Sequence, residues 1–113
     1  MSHIIKEGRR QRYIGFQINI QTKQPPINRS TMIATLRQQC RRQFNTDCKM
    51  LGIYLTKFNG KQGIVRCSHR EKDRTIQMLT SISKIASYTV AIETLGTSGT
   101  IKSLMKKHMV NTF

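Results

Sequence analysis

An α/β (α+β) sandwich on an antiparallel four-stranded sheet is the fold this sequence predicts, and three features carry the prediction. Four stretches alternate apolar and polar residues, two intervening stretches repeat apolar residues at three- and four-residue spacing, and an Asn-Gly pair joins the second and third alternating stretches. The resulting order, β-α-β-β-α-β with an added C-terminal helix, is the split β-α-β arrangement of ferredoxin-like and RNA-recognition-motif folds.

The first strand is predicted over residues 12–20, "RYIGFQINI", with Ile14, Phe16, Ile18 and Ile20 on one side and Tyr13, Gly15, Gln17 and Asn19 on the other. Pro25 and Pro26 end pairing, and Asn28 or Ser30 can cap a helix whose stripe is Ile33, Leu36, Cys40 and Phe44. "KMLGIYLTKF" alternates again, then Asn59-Gly60 predicts a two-residue hairpin turn into "QGIVRCS". Ser68-His-Arg-Glu71 has the form of a capping box, starting a helix that faces the core with Ile76, Met78, Leu79 and Ile82. "SYTVAIETL" is the fourth strand, and Ile101, Leu104, Met105 and His108 mark a short final helix.

The second strand is apolar on both sides, with Leu51, Ile53 and Leu55 one way and Met50, Tyr54 and Phe58 the other. A sheet with one wet face has no need of this, so the last helix is expected to cover part of the second face. The domain runs over residues 12–113, preceded by a basic arm, residues 1–11, "MSHIIKEGRRQ".

Charge bounds the function. Twenty Lys and Arg stand against five Asp and Glu, a net charge of +15 spread along all 113 residues. Each phosphate that such a surface neutralises releases condensed counterions, so a nucleic acid is the expected partner. No run approaches the ~20 apolar residues of a spanning helix, and no apolar signal core opens the chain; a cytoplasmic protein is expected. Cys40, Cys48 and Cys67 form no C-x-x-C pair and read as reduced, mostly buried thiols.

Side-chain catalysis has little support. Glu7, Asp47, Glu71, Asp73 and Glu93 are the only acids, and two of them fall in the first turn of the second helix, where they complement its macrodipole. His3, His69 and His108 lack metal-ligand spacing, so neither a catalytic nor a metal site is expected. "GTSGTIKS" nearly matches a phosphate loop, but Ile101 replaces the second glycine, and no carboxylate follows Ser103. A β-branched residue there resists the backbone conformations that wrap a phosphate. The stretch is therefore expected to be a strand exit, a glycine turn and a helix cap at Ser98 or Thr100.

Base stacking is also weakly signalled, because "QGIVRCS" has no aromatic residue and Tyr13, Tyr54 and Tyr88 read as packing residues. Phosphate contact needs only charge and geometry. Its candidates are Arg9, Arg10 and Arg12 at the arm; Arg37, Arg41 and Arg42 on the first helix; Lys61, with Lys57, at the hairpin; and Lys102, Lys106 and Lys107 on the last helix.

"RYIGFQI", "GKQGIVRC" and "VAIETLGTSGTIKSL", in this order, resemble the ribonuclease P protein component 2 family, the small archaeal subunit related to the eukaryotic Pop-type proteins. Gly63-Ile-Val-Arg-Cys67 and Leu95 to Lys102 are the most specific parts, and the resemblance covers about Arg12 to Lys107. It implies a non-catalytic subunit of the ribonucleoprotein endonuclease (a hydrolase) that removes 5′ leaders from precursor tRNA, the RNA subunit and its Mg²⁺ ions performing the hydrolysis. It further implies two copies each of this chain and of ribonuclease P protein component 3, stabilising the catalytic domain of the ribonuclease P RNA. This chain would bind no cofactor itself. Composition alone would equally suit a small ribosomal or other structural RNA-binding protein.

Overall fold

A computed structural model describes residues 10–20 and 27–109. The elements are β1 (Gln11–Ile20), α1 (Arg29–Phe44), β2 (Tyr54–Phe58), β3 (Gln62–Ser68), α2 (Lys72–Thr80), β4 (Lys84–Ile85), β5 (Tyr88–Ser98) and α3 (Ile101–His108). They build a mixed α/β fold whose sheet has five strands, ordered β2-β3-β1-β5-β4, with every neighbouring pair antiparallel.

The fifth strand corrects the expectation of four. Lys84–Ile85 folds back on β5 through Ala86-Ser87, with Ile85 opposite Tyr88 and Ala86 at φ 55°. Left-handed backbone normally announces itself through Gly or Asn. An alanine in that role leaves the turn invisible to pattern reading.

β1 lies between β3 and β5, and its Ile14, Phe16 and Ile18 enter a core shared with Met32, Leu36, Met78, Leu79, Ile85 and Val90. α1 and α2 supply that side. Asn28 starts α1, its Oδ1 accepting from the Thr31 N–H at 2.8 Å, and the buried line is Met32, Leu36 and Cys40, with Ile33 and Phe44 half-buried beside it. The expected capping box does not form. Ser68 makes no side-chain cap, residues His69–Glu71 turn as a 3-10 segment, and α2 begins only at Lys72.

Two local features reshape the second strand. Cys48–Leu51 coil into a 3-10 turn closed by Gly52 at φ 70°, so β2 starts at Tyr54 rather than near Met50. A bulge between Leu55 and Lys57 then breaks the alternation, leaving Tyr54 opposite Arg66 but Phe58 opposite Gly63. Phe58 thereby moves to the first core, its ring centroid 6.3 Å from that of Phe16, instead of sharing a face with Tyr54. The hairpin forms where expected, yet its central residues are Gly60 and Lys61. Gly60 has φ 99°, and Asn59 Oδ1 accepts from the N–H groups of Lys61 and Gln62.

α3 covers part of the second face. Leu104 and Met109 are buried with Ile64, and Tyr13, Leu95, Ile101 and Met105 pack around them. Each fully buried side chain of this kind stabilises by about 1.5–3 kcal/mol. The helix comes down on glycines: a Cβ on Gly15 would meet Met109, and one on Gly96 would meet the His108 ring. His108 itself is exposed, a surface group at the end of the helix stripe. β5 also runs further than expected, through Gly96 to Ser98, so that the turn is confined to Gly99-Thr100.

Cys40 and Cys48 are joined by a disulfide, correcting the expectation of three reduced thiols. The 3-10 turn after Asp47 brings their Cα atoms to 5.6 Å, a proximity that a strand beginning at Lys49 would not have produced. Cys67 stays free and buried, and its desolvation pushes the thiol above its usual range. The neutral form is then the folded form. Its contribution to stability is complete below the ordinary value of 9.0 and is lost as the pH rises above it, because the unfolded chain deprotonates first.

Protein purified without reductant should therefore show no thiol reactive to Ellman's reagent at pH 8 when folded. One should appear in denaturant, and three after reduction. Three reactive thiols in denaturant before reduction would refute the disulfide. Gly63→Ala should lower the unfolding free energy in urea by about 1–3 kcal/mol, since the new Cβ would lie 2.7 Å from Phe16 Cζ and 2.9 Å from the Lys57 carbonyl.

Candidate nucleic-acid interface

The sheet separates the predicted contacts into two sets. α1, with Arg37, Arg41 and Arg42, packs on the first core, whereas α3, with Lys102, Lys106 and Lys107, packs on the opposite face. All six are exposed, but one flat phosphate surface cannot meet both helices. Lys61 projects from the tip of the β2–β3 hairpin, also exposed.

One end of the sheet gathers a further group. Arg10 is exposed just before β1, and its carbonyl accepts from the His69 N–H at 2.8 Å. Arg12 is half-buried; its Nη1 donates to the Gln11 carbonyl at 3.0 Å and lies 3.6 Å from where a Cβ on Gly99 would be. This brings Arg12 against Gly99, in the turn that leads into α3. Arg9 lies outside the described residues.

The start of α3 is already occupied by its own cap. Thr100 Oγ1 accepts from the Ser103 N–H at 3.1 Å, selecting Thr100 over Ser98 as the capping residue. With the sheet antiparallel, the segment lacks the parallel β-α unit of a phosphate loop, and the Ser103 N–H is spent on the helix's own cap.

Carboxylates serve structure. Asp47 pairs with Arg41 at 2.7 Å, both side chains being more than half exposed (55% and 71%), so the pair contributes little stability. Glu71 lies 3.6 Å from Arg74. Glu93 accepts from Gln17 at 3.2 Å and Asn19 at 3.4 Å, and Gln62 donates to Gln17, making a polar ladder across β3, β1 and β5. Among the described residues no three His, Cys, Asp or Glu side chains come together as a metal site.

Sequence reasoning missed a group at the other sheet edge. Tyr54 is 40% exposed, unlike half-buried Tyr13 and Tyr88, and the Arg66 guanidinium carbon sits 4.8 Å from its ring centroid. Arg29 donates to the Leu55 carbonyl at 2.6 Å, and exposed Lys49 stands nearby on the 3-10 turn. Counting back from the hairpin would have paired Tyr54 with Arg66 only with the bulge in hand.

The family model of the Rpp14/Pop5 family matches residues 12–109, from β1 to the end of α3. The chain belongs to the Rpp14/Pop5 family. As a member of it, the chain is 32% identical over 100 residues to "Ribonuclease P protein component 2" of Archaeoglobus fulgidus, covering 88% of this chain and 89% of that protein. The like-named protein of Methanosarcina barkeri is 26% identical over 109 residues, covering 91% and 75%. The resemblance read from the motifs is thus borne out. In fold, this Rpp14/Pop5 member also matches a chain of the yeast ribonuclease MRP structure, with a TM-score of 0.62 at 16% identity over 81% of this chain and 76% of that one.

If the α3 lysines meet phosphates, replacing Lys102, Lys106 and Lys107 by Ala should flatten the plot of log affinity against log salt for structured RNA by roughly two to three units. An unchanged slope would remove α3 from the interface.

Proposed function

We propose that this chain is a non-catalytic protein subunit of ribonuclease P, which binds and stabilises the catalytic RNA for removal of 5′ leaders from precursor tRNA. The family match along residues 12–109 is the observation that carries this reading. The charge of +15 agrees with it, as does the use of Asp47, Glu71 and Glu93 in ion pairs and amide networks rather than in a catalytic group.

Folding a catalytic RNA brings phosphates together, and their repulsion raises the Mg²⁺ needed to hold the fold. A rigid cationic domain lowers that requirement by standing in for part of the ion atmosphere. The Mg²⁺ that performs hydrolysis belongs, on this reading, to the RNA. Basic groups on both faces of the sheet suit a protein lodged between RNA segments or between RNA and tRNA better than one lying on a single helix. The proposed protein partner is component 3, in a complex with two copies of each chain, acting in the cytoplasm; no helix among the described residues is long and apolar enough to cross a membrane. The sheet and helix order β-α-β-β-α, with β5 as the closing long strand, is compatible with an RNA-recognition-motif-like ancestry in which α3 and β4 are additions.

Reconstituted precursor-tRNA cleavage tests this. Omitting the chain should weaken cleavage or raise the Mg²⁺ concentration for half-maximal rate, and Lys102, Lys106 and Lys107 changed together to Ala should raise it part of the way. Cleavage indifferent to the chain at every Mg²⁺ concentration would refute the reading. Recovery of ribosomal RNA instead of ribonuclease P RNA with the protein from cells would favour the ribosomal alternative.

A further inference from the structure

The side of the sheet that carries α3 also holds a cation that belongs to neither helix. Arg66 of β3 stands opposite Tyr54 on β2 and opposite Tyr13 on β1, and it lies two residues beyond Ile64, which is buried with Leu104 and Met109. Side chains two apart on a strand share a face, so Tyr54, Arg66 and Tyr13 form a row across three strands on the α3 side. The row runs from the exposed β2 edge to the cluster under α3, against which Tyr13 packs.

Arg66 is half-buried, and among the described residues its guanidinium donates no hydrogen bond and makes no ion pair. The described acids are engaged elsewhere. Asp47 meets Arg41, Glu71 meets Arg74, and Glu93 meets Gln17 and Asn19 at the far end of β1, while Asp73 lies in the first turn of α2, on the opposite side of the sheet. The Arg66 guanidinium carbon is held 4.8 Å from the Tyr54 ring centroid, a cation–π contact that steadies the group without neutralising it. Its Nε is enclosed and has no acceptor, which is costly, and the Nη end is the one left for a ligand.

From these features we infer that Arg66 is an RNA phosphate site: the Nη edge of its guanidinium takes a phosphodiester through two parallel hydrogen bonds, and Tyr54 holds the fork in place. The inference rests on the RNA-binding role proposed above and names a contact for it. A guanidinium fork matches two phosphate oxygens at once and is more weakly hydrated than an ammonium, so a half-buried position suits it. The edge that binds and the face that lies over a ring are different parts of one group, and both contacts can hold together. α3 favours RNA over an acidic peptide as the occupant. Its exposed Lys102, Lys106 and Lys107 stand on the same side of the sheet, and charge spread in this way suits a run of phosphates. Arg66 differs from those lysines in being fixed from the middle of a strand.

Binding of a ribonuclease P RNA transcript to the full chain, measured across salt concentrations, tests this with Arg66→Gln, Arg66→Lys, Tyr54→Leu and Tyr54→Phe beside the parent. Arg66→Gln should weaken binding about tenfold and flatten the plot of log affinity against log salt by about one unit. Arg66→Lys should keep the slope yet lose about threefold or more, because an ammonium offers no planar fork. Tyr54→Leu should cost about two- to fivefold at unchanged slope, and Tyr54→Phe should retain affinity. Urea unfolding checks that each variant is folded; should Arg66→Gln not fold, Arg66→Lys carries the test. Arg66→Gln with the parent's slope would overturn the phosphate contact whatever its affinity, and would leave the side chain to structure or to an acidic protein segment. Arg66→Lys equal to the parent would overturn the two-point contact. Both results leave the RNA-binding role standing, whereas a parent that does not bind the transcript ends both.

Discussion

The structure depends on β1 serving two cores at once. Both its edges are paired, to β3 and β5; one face is buried under α1 and α2, and the other is covered by α3 around Tyr13 and Gly15, while Gln17 and Asn19 stay in the exposed polar ladder with Glu93. The two cores are served by division of labour. Ile14, Phe16 and Ile18 fill the side covered by α1 and α2, while Gly15 on the other side yields its side-chain volume to Met109 of the segment ending α3. Gly96, opposite Gly15 on β5, does the same for His108. A helix laid directly on backbone is closer to the sheet than side chains would permit, and this is how an eight-residue helix with only Leu104 fully buried is held in place.

That arrangement decides where charge can go. With α1 and α2 on one face and α3 on part of the other, the open part of the sheet is the Gln17–Asn19–Glu93 ladder, and the exposed cations of α1, α3 and the hairpin are displayed on helices and at a turn instead. The β2 edge is also exposed, where the bulge leaves Tyr54 and Arg66 facing outward while turning Phe58 inward. The same irregularity therefore completes the core and creates the aromatic edge. The disulfide reinforces this region: it closes a loop with a sequence separation of eight between α1 and the 3-10 turn, a constraint worth roughly 2–3 kcal/mol on chain-entropy grounds.

The sequence by itself determined the helices, the long strands and the chemistry class. Period-two and helical spacings are properties of neighbouring residues, and twenty cations against five acids restrict the partner whatever the fold. The motifs "GIVRC" and "LGTSGTIK" were legible as a family signature for the same reason, being local. Only the tertiary structure decided the short β4 strand, the pairing of Cys40 with Cys48, the failed cap at Ser68 and the side on which Phe58 and the basic groups lie. The strand β4 turns on left-handed backbone at Ala86, the 3-10 turn at Cys48 on left-handed Gly52, and the place of Phe58 on the bulge between Leu55 and Lys57, all held by contacts far away in the chain. A local pattern has no access to such contacts, because they join residues far apart in the sequence.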